Sequence, residues 1–164
     1  MSRLQTTDGL SEEQHELIKL VREFVEEQIL PVATELEHRD EYPTDIVEGM
    51  KEMGIFGLMI PEEYGGSGYS YVELCVIFEA MGRRLLCAPF FSTVALAANA
   101  LLHSGDDDAK ARYLPGIASG ETIATVAVTG ENGRWDESGS EMEAAASDQG
   151  HTLTGTKSYV IDGH

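Results

Sequence analysis

The sequence predicts an α+β protein in which an all-α N-terminal bundle of helices precedes an incomplete antiparallel β domain. Two observations support this fold class. Apolar residues recur at helical spacing through residues 11–118. From Gly120 onward, short runs of β-branched residues alternate with turn residues, which is typical of strands and hairpins. We therefore expect an α-helical domain at 1–118 and a partial β domain at 119–164.

The composition restricts the classes of function. The chain has 164 residues, of which 42% are apolar, enough for one packed domain or slightly more. Its formal net charge of −18 argues against binding nucleic acid or an anionic membrane through net charge. The five histidines are scattered and no Cys-x-x-Cys motif occurs, so no metal site is predicted. The N-terminus has no apolar signal core, and a cytoplasmic location fits these features.

The two cysteines, Cys75 and Cys87, both lie in apolar helical sequence. A free cysteine usually packs like a small hydrophobic residue. We therefore expect two reduced thiols in the core.

The first helix is predicted over residues 11–37. Ser11 and Gln14 have the spacing of a capping box, which satisfies the free N–H groups at a helix start. Pro31 is expected to kink this helix in its last third. A second helix is predicted from residue 43 to residue 54, with proline in its first turn and glycine at its end.

A tight glycine-rich loop at 61–68 leads into two helices that are apolar on most sides. Ser70 and Glu73 form a second capping box, for a helix that runs to about residue 86. The next helix is predicted over residues 90–103, and both belong in the middle of the bundle. Residues 85–102 carry almost no charge, but proline and polar residues interrupt them, so a buried helix is favoured over a membrane span.

The remainder of the chain contains one more helix and several strand candidates. Aspartates at 106–108 are expected to cap a short helix that ends at residue 114, before Pro115. The strand candidates are residues 122–129, 141–146, 151–153 and 157–161. This region is too short to close a barrel or sandwich alone, so its last strand would leave an open edge at His164. The expectation is that further β sequence belongs after this point.

Four segments, taken in order and at compatible spacing, resemble the acyl-CoA dehydrogenase family. They are residues 61–68, 79–82, 105–121 and 153–163. The last resembles that family's strand pattern L-x-G-x-K-x-W-I-x-N-G. The resemblance implies a subunit of three parts: a helical domain, a β domain and a C-terminal four-helix domain, the last of which is expected to be absent from this sequence.

The resemblance also implies a reaction. Members of the family oxidise an acyl-CoA thioester to the 2-enoyl-CoA, with FAD as the hydride acceptor and a carboxylate as the base for the α proton. The base belongs to the C-terminal domain, so no catalytic residue is assigned in this chain, and the chain alone is expected to be inactive. A separate electron-transfer acceptor, a flavoprotein, and a homo- or hetero-oligomer are implied as partners.

The resemblance places five flavin contacts in the β region: Val126, Val128, Thr129, Tyr159 and Ile161. It also places Phe91 and Ser92 near the start of the helix that lines the acyl pocket. The alternative is that Thr129 and Tyr159 are ordinary strand residues and that Phe91 belongs to the core.

The chain departs from the family pattern at three positions in this β region. The family loop E-P-x-x-G-S-D, whose serine helps to hold the cofactor pyrophosphate, has Gly130 in place of its glutamate and Trp135 in place of its serine. Ile161 stands where a small hydroxyl residue is usual. Arg134 is either an alternative phosphate contact or, as the favoured reading, a solvated loop residue. A flavin-free, non-catalytic partner subunit of a mixed oligomer is therefore a second hypothesis. A helical interaction module is a third, but it leaves the β motifs unexplained.

Overall fold

A computed structural model describes residues 9–148 and 150–163. Its α-helices are Glu12–Phe24 (α1), Ala33–Arg39 (α2), Thr44–Glu52 (α3), Tyr71–Gly82 (α4), Asn99–Leu102 (α5) and Asp107–Ala118 (α6), and its strands are Glu143–Ser147 (β1) and Gly150–Thr154 (β2). Wider, π-helical turns at Val25–Ile29 and Phe91–Ala98 extend α1 and precede α5. The predicted α+β class, with a helical bundle followed by a small antiparallel sheet, is confirmed. Residues 1–8, where the sequence has no apolar signal core, and the edge predicted at His164 lie outside the described residues.

The main core forms where α1, α3, α4 and the π-helical segment Phe91–Ala98 meet. Its central aromatic pair is Phe56 and Phe90, whose ring centroids are 5.6 Å apart in an edge-to-face arrangement. Fully buried aliphatic side chains surround this pair, among them Val21, Ile29, Met50, Ile77 and Val94. Burying each such side chain contributes about 1.5–3 kcal/mol. A smaller core joins α6 to this bundle through Leu114 and Ile117.

The kink predicted at Pro31 is confirmed, and it divides the helix predicted at 11–37 into α1, with its π-helical extension to Ile29, and α2 from Ala33. Pro31 has no N–H group and its ring would clash with the preceding turn. The helix widens before this point, and the Leu30 N–H donates to the Val25 carbonyl at 2.9 Å. The chain then restarts as α2 at Ala33. The capping box of Ser11 and Gln14 is confirmed at the start of α1.

The predicted end of α6 before Pro115 is also wrong, because the helix continues to Ala118. A proline in a helix interior costs about 3 kcal/mol. Burial of Leu114 and Ile117 on either side of the proline offsets this cost. The Ser119 N–H still donates to the Pro115 carbonyl at 3.1 Å, so the last turn closes normally.

The sheet is smaller than the sequence predicts. Strands β1 and β2 pair antiparallel, with Ala144 opposite Leu153, at the positions predicted for 141–146 and 151–153. The prediction of strands at 122–129 and 157–161 is wrong, because neither segment forms a ladder of backbone hydrogen bonds. High β propensity acts only where a partner strand completes the hydrogen bonds, and the left-handed backbone of Tyr159, with φ of 54°, interrupts the second segment.

The prediction for the cysteines is wrong for Cys75, which is an exposed free thiol on α4, whereas Cys87 is half-buried. Because α4 is apolar on most sides, its sequence does not reveal which side faces the solvent. No helix within residues 9–148 is long and apolar enough to cross a membrane. The described residues also contain no cluster of three or more side chains suited to a metal ion.

Candidate functional site

Two extended segments, residues 122–129 and residues 157–161, lie side by side and run antiparallel. They do not form a regular ladder of backbone hydrogen bonds. The Ser158 N–H donates to the Thr129 carbonyl at 2.8 Å, and no other backbone–backbone bond joins these segments among the residues that the structure describes. The Thr125 hydroxyl donates to the Ile161 carbonyl at 2.7 Å, and the Lys157 ammonium donates to the Val128 carbonyl at 2.8 Å. Side chains therefore supply two of the three hydrogen bonds that hold these segments together.

Thr93 fastens the first of these segments to the helical bundle. Its hydroxyl donates to the Ala124 carbonyl at 3.1 Å and accepts from the Ala124 N–H at 3.2 Å. The residue is fully buried, so both bonds are shielded from water. A threonine in an apolar helical run gave no sequence signal for this role, and the residue was missed. Only the contact between a helix and a distant segment reveals it.

An apolar groove of about 330 Å³ opens where these two segments face the helical residues 95–100. Its lining consists of Ala95, Leu96, Ala100, Val126, Val128, Thr129, Trp135, Tyr159 and Ile161. All five cofactor contacts inferred from the sequence line this one groove, although 30 residues or more of sequence separate the two segments. The volume lies at the lower end of the range for small-molecule sites, about 300–1,000 Å³. Small alanines on the helical side leave room for a planar group.

Thr129 and Tyr159 sit very differently in this groove. Thr129 is 4% exposed, so it forms part of the supporting wall. Tyr159 is 83% exposed and has a positive φ, which is uncommon for residues other than glycine. Such backbone conformations concentrate at binding sites, where the surrounding structure holds them. The phenol ring is thus presented to the groove rather than packed in the core.

The loop that carries Trp135 is held by its own hydrogen bonds. The Asn132 amide donates to the Ser138 carbonyl at 2.8 Å, and the Ser138 N–H donates to the Asp136 carboxylate at 2.9 Å. Gly139 packs so closely that a Cβ there would lie 2.3 Å from the Arg134 carbonyl oxygen. The loop therefore has a defined shape, and it places an indole that is 77% exposed at the edge of the groove.

A second, more polar cleft of about 950 Å³ adjoins the groove, and Val128 and Trp135 line both. Arg134 and Lys157 contribute its positive charges, and Asp136 and Glu137 contribute negative ones. The Arg134 guanidinium donates to the Ser138 hydroxyl at 3.1 Å. The cleft thus provides cations and hydroxyls within a strongly acidic protein, next to an apolar groove.

Phe91 and Ser92, the predicted substrate contacts, do not line the groove. The Phe91 ring is half exposed and packs edge-on against Phe78, with centroids 5.7 Å apart. Ser92 is buried, and its hydroxyl donates to the Pro89 carbonyl at 3.2 Å. Only Phe91 of this pair therefore presents surface to the solvent.

Three acidic side chains of the helical region, Glu62, Glu63 and Glu73, lie at the surface or cap a helix. Glu62 and Glu63 are exposed in a short helical turn. Glu73 is 1% exposed and accepts from the Ser70 N–H at 2.8 Å, which confirms the second capping box. Burial raises the pKa of Glu73, but hydrogen bonds from Ser70, Gln14 and its own backbone outweigh burial and leave the pKa lowered. No acidic side chain lines the groove within the described part of the chain.

Comparison with known proteins bears on this arrangement. Residues 11–121 match the profile of the family described as Acyl-CoA dehydrogenase, N-terminal domain. A (2S)-methylsuccinyl-CoA dehydrogenase from Cereibacter sphaeroides is 35% identical over 154 residues, which cover 93% of this chain and 28% of that protein.

Solved structures share the fold. Butyryl-CoA dehydrogenase from Megasphaera elsdenii matches with a TM-score of 0.82 and 26% identity, over 96% of this chain and 43% of that one. An acyl-CoA dehydrogenase from Bacillus anthracis, solved in complex with FAD, matches with a TM-score of 0.79 and 27% identity, over 96% of this chain and 28% of that one. The chain spans less than half the length of each of these three proteins.

Proposed function

The chain belongs to the acyl-CoA dehydrogenase family, and from this premise we propose that it is the N-terminal part of a subunit that oxidises an acyl-CoA thioester to the 2-enoyl-CoA with FAD. The observation that carries the proposal is the convergence of Val126, Val128, Thr129, Tyr159 and Ile161 on one apolar groove. Family membership supports acyl-CoA dehydrogenation in general. The cofactor and the site residues are the proposed part.

The residues of the groove fit a flavin ring. Aliphatic walls at Val126, Val128 and Ile161 match an apolar planar system, and the exposed Tyr159 ring offers a stacking surface. Arg134 and Lys157 in the adjoining cleft are suited to the phosphates, because ionised donors make strong hydrogen bonds to phosphate oxygens. When bound, FAD supplies the hydride acceptor of the reaction. The chain's own residues orient the ring and exclude water from one of its faces.

We assign the base for the α proton to no residue of this chain. A general base must come within hydrogen-bond reach of the proton that it removes. The groove has no acidic side chain among its described lining residues, and Glu73 is occupied as a helix cap. The chain alone is therefore expected to make no enoyl-CoA.

The substrate and its partners follow from the same proposal. Phe91 is expected to face the apolar part of the acyl group, since its ring is half exposed, and Ser92 supports that surface from beneath. An electron-transfer flavoprotein is the proposed electron acceptor, and a homo- or hetero-oligomer is the proposed assembly. The proposed location is the cytoplasm.

A flavin-free partner subunit is the second candidate function. Two positions favour it: Ile161 lacks the hydroxyl that is usual near the ring, and Trp135 replaces the serine near the pyrophosphate. Such a subunit would contribute the same fold to a mixed oligomer without binding the cofactor.

The experiment that separates these candidates measures bound flavin directly. The purified full-length subunit that contains this chain is mixed with FAD, freed of unbound ligand and examined for the visible absorption band of oxidised flavin. Stoichiometric flavin supports the enzyme. A colourless protein that takes up no FAD overturns the cofactor proposal and supports the partner subunit. For a protein that binds flavin, reduction of an artificial electron acceptor with a panel of acyl-CoAs, in the subunit that contains this chain, then identifies the acyl group.

A further inference from the structure

We infer that Trp135 is a ring-contacting residue of the groove, and that its indole and the phenol of Tyr159 together bind the planar part of the cofactor. The inference rests on the proposed function, and it deepens that proposal by assigning a residue where the family has a small hydroxyl side chain. It predicts an aromatic contact that the family pattern does not contain.

The exposure of Trp135 is the first argument. The indole is 77% exposed, whereas tryptophan is highly buried on average. Its neighbours across the groove are also exposed apolar side chains, Val128 at 46%, Tyr159 at 83% and Ile161 at 42%. An apolar surface of this kind, concentrated around a concave site, is typical of a surface that a ligand covers.

The rigidity of the loop is the second argument. Hydrogen bonds from Asn132 to Ser138 and from Ser138 to Asp136 define the turn on either side of the indole. The Arg134 N–H also donates to the Asn132 side-chain oxygen at 3.0 Å. A side chain presented by a preorganised loop loses little conformational entropy on binding, which improves its contribution to affinity.

The position of Trp135 between two clefts is the third argument. The residue lines both the apolar groove and the cleft that contains Arg134 and Lys157. A ligand with an aromatic ring in the groove and phosphates in the adjoining cleft would lie against this indole. FAD has this chemistry, whereas riboflavin has the ring without the phosphates and pyrophosphate has only the charge.

The test uses a property of the sequence, because Trp135 is the only tryptophan in the chain. The part of the tryptophan emission that is lost in Trp135→Phe therefore reports on this position. The protein is titrated separately with FAD, riboflavin and inorganic pyrophosphate, with correction for absorption by the flavin. Saturable quenching by FAD and riboflavin, and little change with pyrophosphate, is the expected result.

Variants separate a ring contact from a structural role. Trp135→Phe keeps an aromatic face, and Trp135→Ser restores a small hydroxyl residue. Stacking of an aromatic side chain on a heterocyclic ring contributes measurably to affinity. We therefore expect Trp135→Ser to weaken FAD binding roughly tenfold by equilibrium dialysis, and Trp135→Phe to weaken it much less. The exposed Leu20 of α1 lies outside the groove, and Leu20→Ser serves as the control.

The outcomes distinguish this inference from the proposed function. If the protein binds FAD with unquenched emission, and Trp135→Ser keeps the same affinity, the role of Trp135 is overturned and the flavin site stands. If neither the unaltered protein nor any variant binds FAD, both proposals are overturned. Unchanged thermal unfolding midpoints in all variants exclude misfolding as the cause of weaker binding.

Discussion

The side-chain amide of Gln14 donates a hydrogen bond to the carboxylate of Glu73, and this bond joins the capping boxes of α1 and α4. Each of these two side chains also accepts a hydrogen bond from a backbone N–H through its other polar atom. The Gln14 carbonyl oxygen accepts from the Ser11 N–H at 2.6 Å, and the second Glu73 oxygen accepts from the Ser70 N–H at 2.8 Å. Two helix starts that are far apart in sequence thus share one network of hydrogen bonds.

Removing this network is predicted to destabilise the bundle. Glu73→Ala leaves the Gln14 amide and the Ser70 N–H without their acceptor, which costs about 1–3 kcal/mol. The thermal midpoint should fall by roughly 2–4 °C for each kcal/mol in a domain of this size. Exposed Glu62→Ala is the control and should change the midpoint little. A double-mutant cycle with Gln14→Ala should give a coupling energy of about 0.5–3 kcal/mol, and additive effects would contradict a shared network.

The same carboxylate predicts a dependence of stability on pH. Because the pKa of Glu73 is lower in the folded protein than its ordinary value of 4.5, the ionised form favours folding. This contribution is fully present above that ordinary value and is lost as the pH falls through the lower, folded pKa. We expect the difference in unfolding free energy between the unaltered protein and Glu73→Gln, measured in urea, to shrink on acidification below the ordinary value. A difference that stays constant through this acid range would contradict the assignment.

Thr93 is predicted to hold one wall of the groove in place through its two hydrogen bonds to Ala124. Thr93→Val keeps the shape of the side chain but removes both hydrogen bonds to Ala124. Leaving buried polar groups unpaired costs about 1–3 kcal/mol, so the urea midpoint should fall. FAD binding should also weaken, because Ala124 begins the segment that forms one wall of the groove. Thr34→Val, at an exposed position on α2, is the matched control. Equal effects of the two changes would remove the special role of Thr93.

Filling the groove is predicted to exclude the cofactor without unfolding the protein. Ala100 lies on the helical wall of the groove and is exposed, so leucine fits there without core strain. Ala100→Leu should weaken FAD binding roughly tenfold in equilibrium dialysis, because overpacking a fitted site costs about 1–3 kcal/mol, while the thermal midpoint changes little. Ala111→Leu makes the same change at an exposed position on α6, away from the groove, and should leave FAD binding unaltered. Normal affinity in Ala100→Leu would place the ring elsewhere.

The sequence predicts features that depend on local chemistry better than those that depend on distant contacts. Ser11 with Gln14, and Ser70 with Glu73, are short-range patterns with one dominant structure, and both capping boxes occur. The bond between Gln14 and Glu73 joins residues 59 positions apart, and no pattern in the sequence predicts it.

Orientation and pairing are the properties that local patterns leave open. Cys75 lies on a helix that is apolar almost all round, so periodicity gives it no direction, and it proves to be exposed. Residues 122–129 have the composition of a strand, but a strand also needs a partner. In this protein one backbone bond from Ser158 and the side chains of Thr125 and Lys157 pair that segment with its neighbour, and Thr93 joins it to the bundle. The groove could be anticipated only through the resemblance to a family, because its two walls come from segments about 30 residues apart.

Gly66 is predicted to be essential to the tight loop before α4. A Cβ at this position would lie 2.0 Å from the Ile60 carbonyl oxygen and 2.6 Å from that of Gly57. Neither oxygen can move freely, because the Gly68 N–H donates to Ile60 at 2.9 Å and the Ser67 N–H donates to Gly57 at 3.0 Å. Gly66→Ala must therefore break the loop or shift the buried Ile60. We expect a loss of stability of about 1–3 kcal/mol, the range for overpacking.

Gly82 offers a matched comparison for this change. It ends α4, and outside its own helical turn a Cβ there would meet no atom within 4 Å. Alanine has the higher helix propensity by up to about 1 kcal/mol, so Gly82→Ala should leave the stability unchanged or raise it slightly. Urea denaturation of both variants measures the two effects on one scale. Similar stability in the two variants would mean that the loop at 61–68 relaxes easily, and that its two carbonyls are not fixed by their hydrogen bonds.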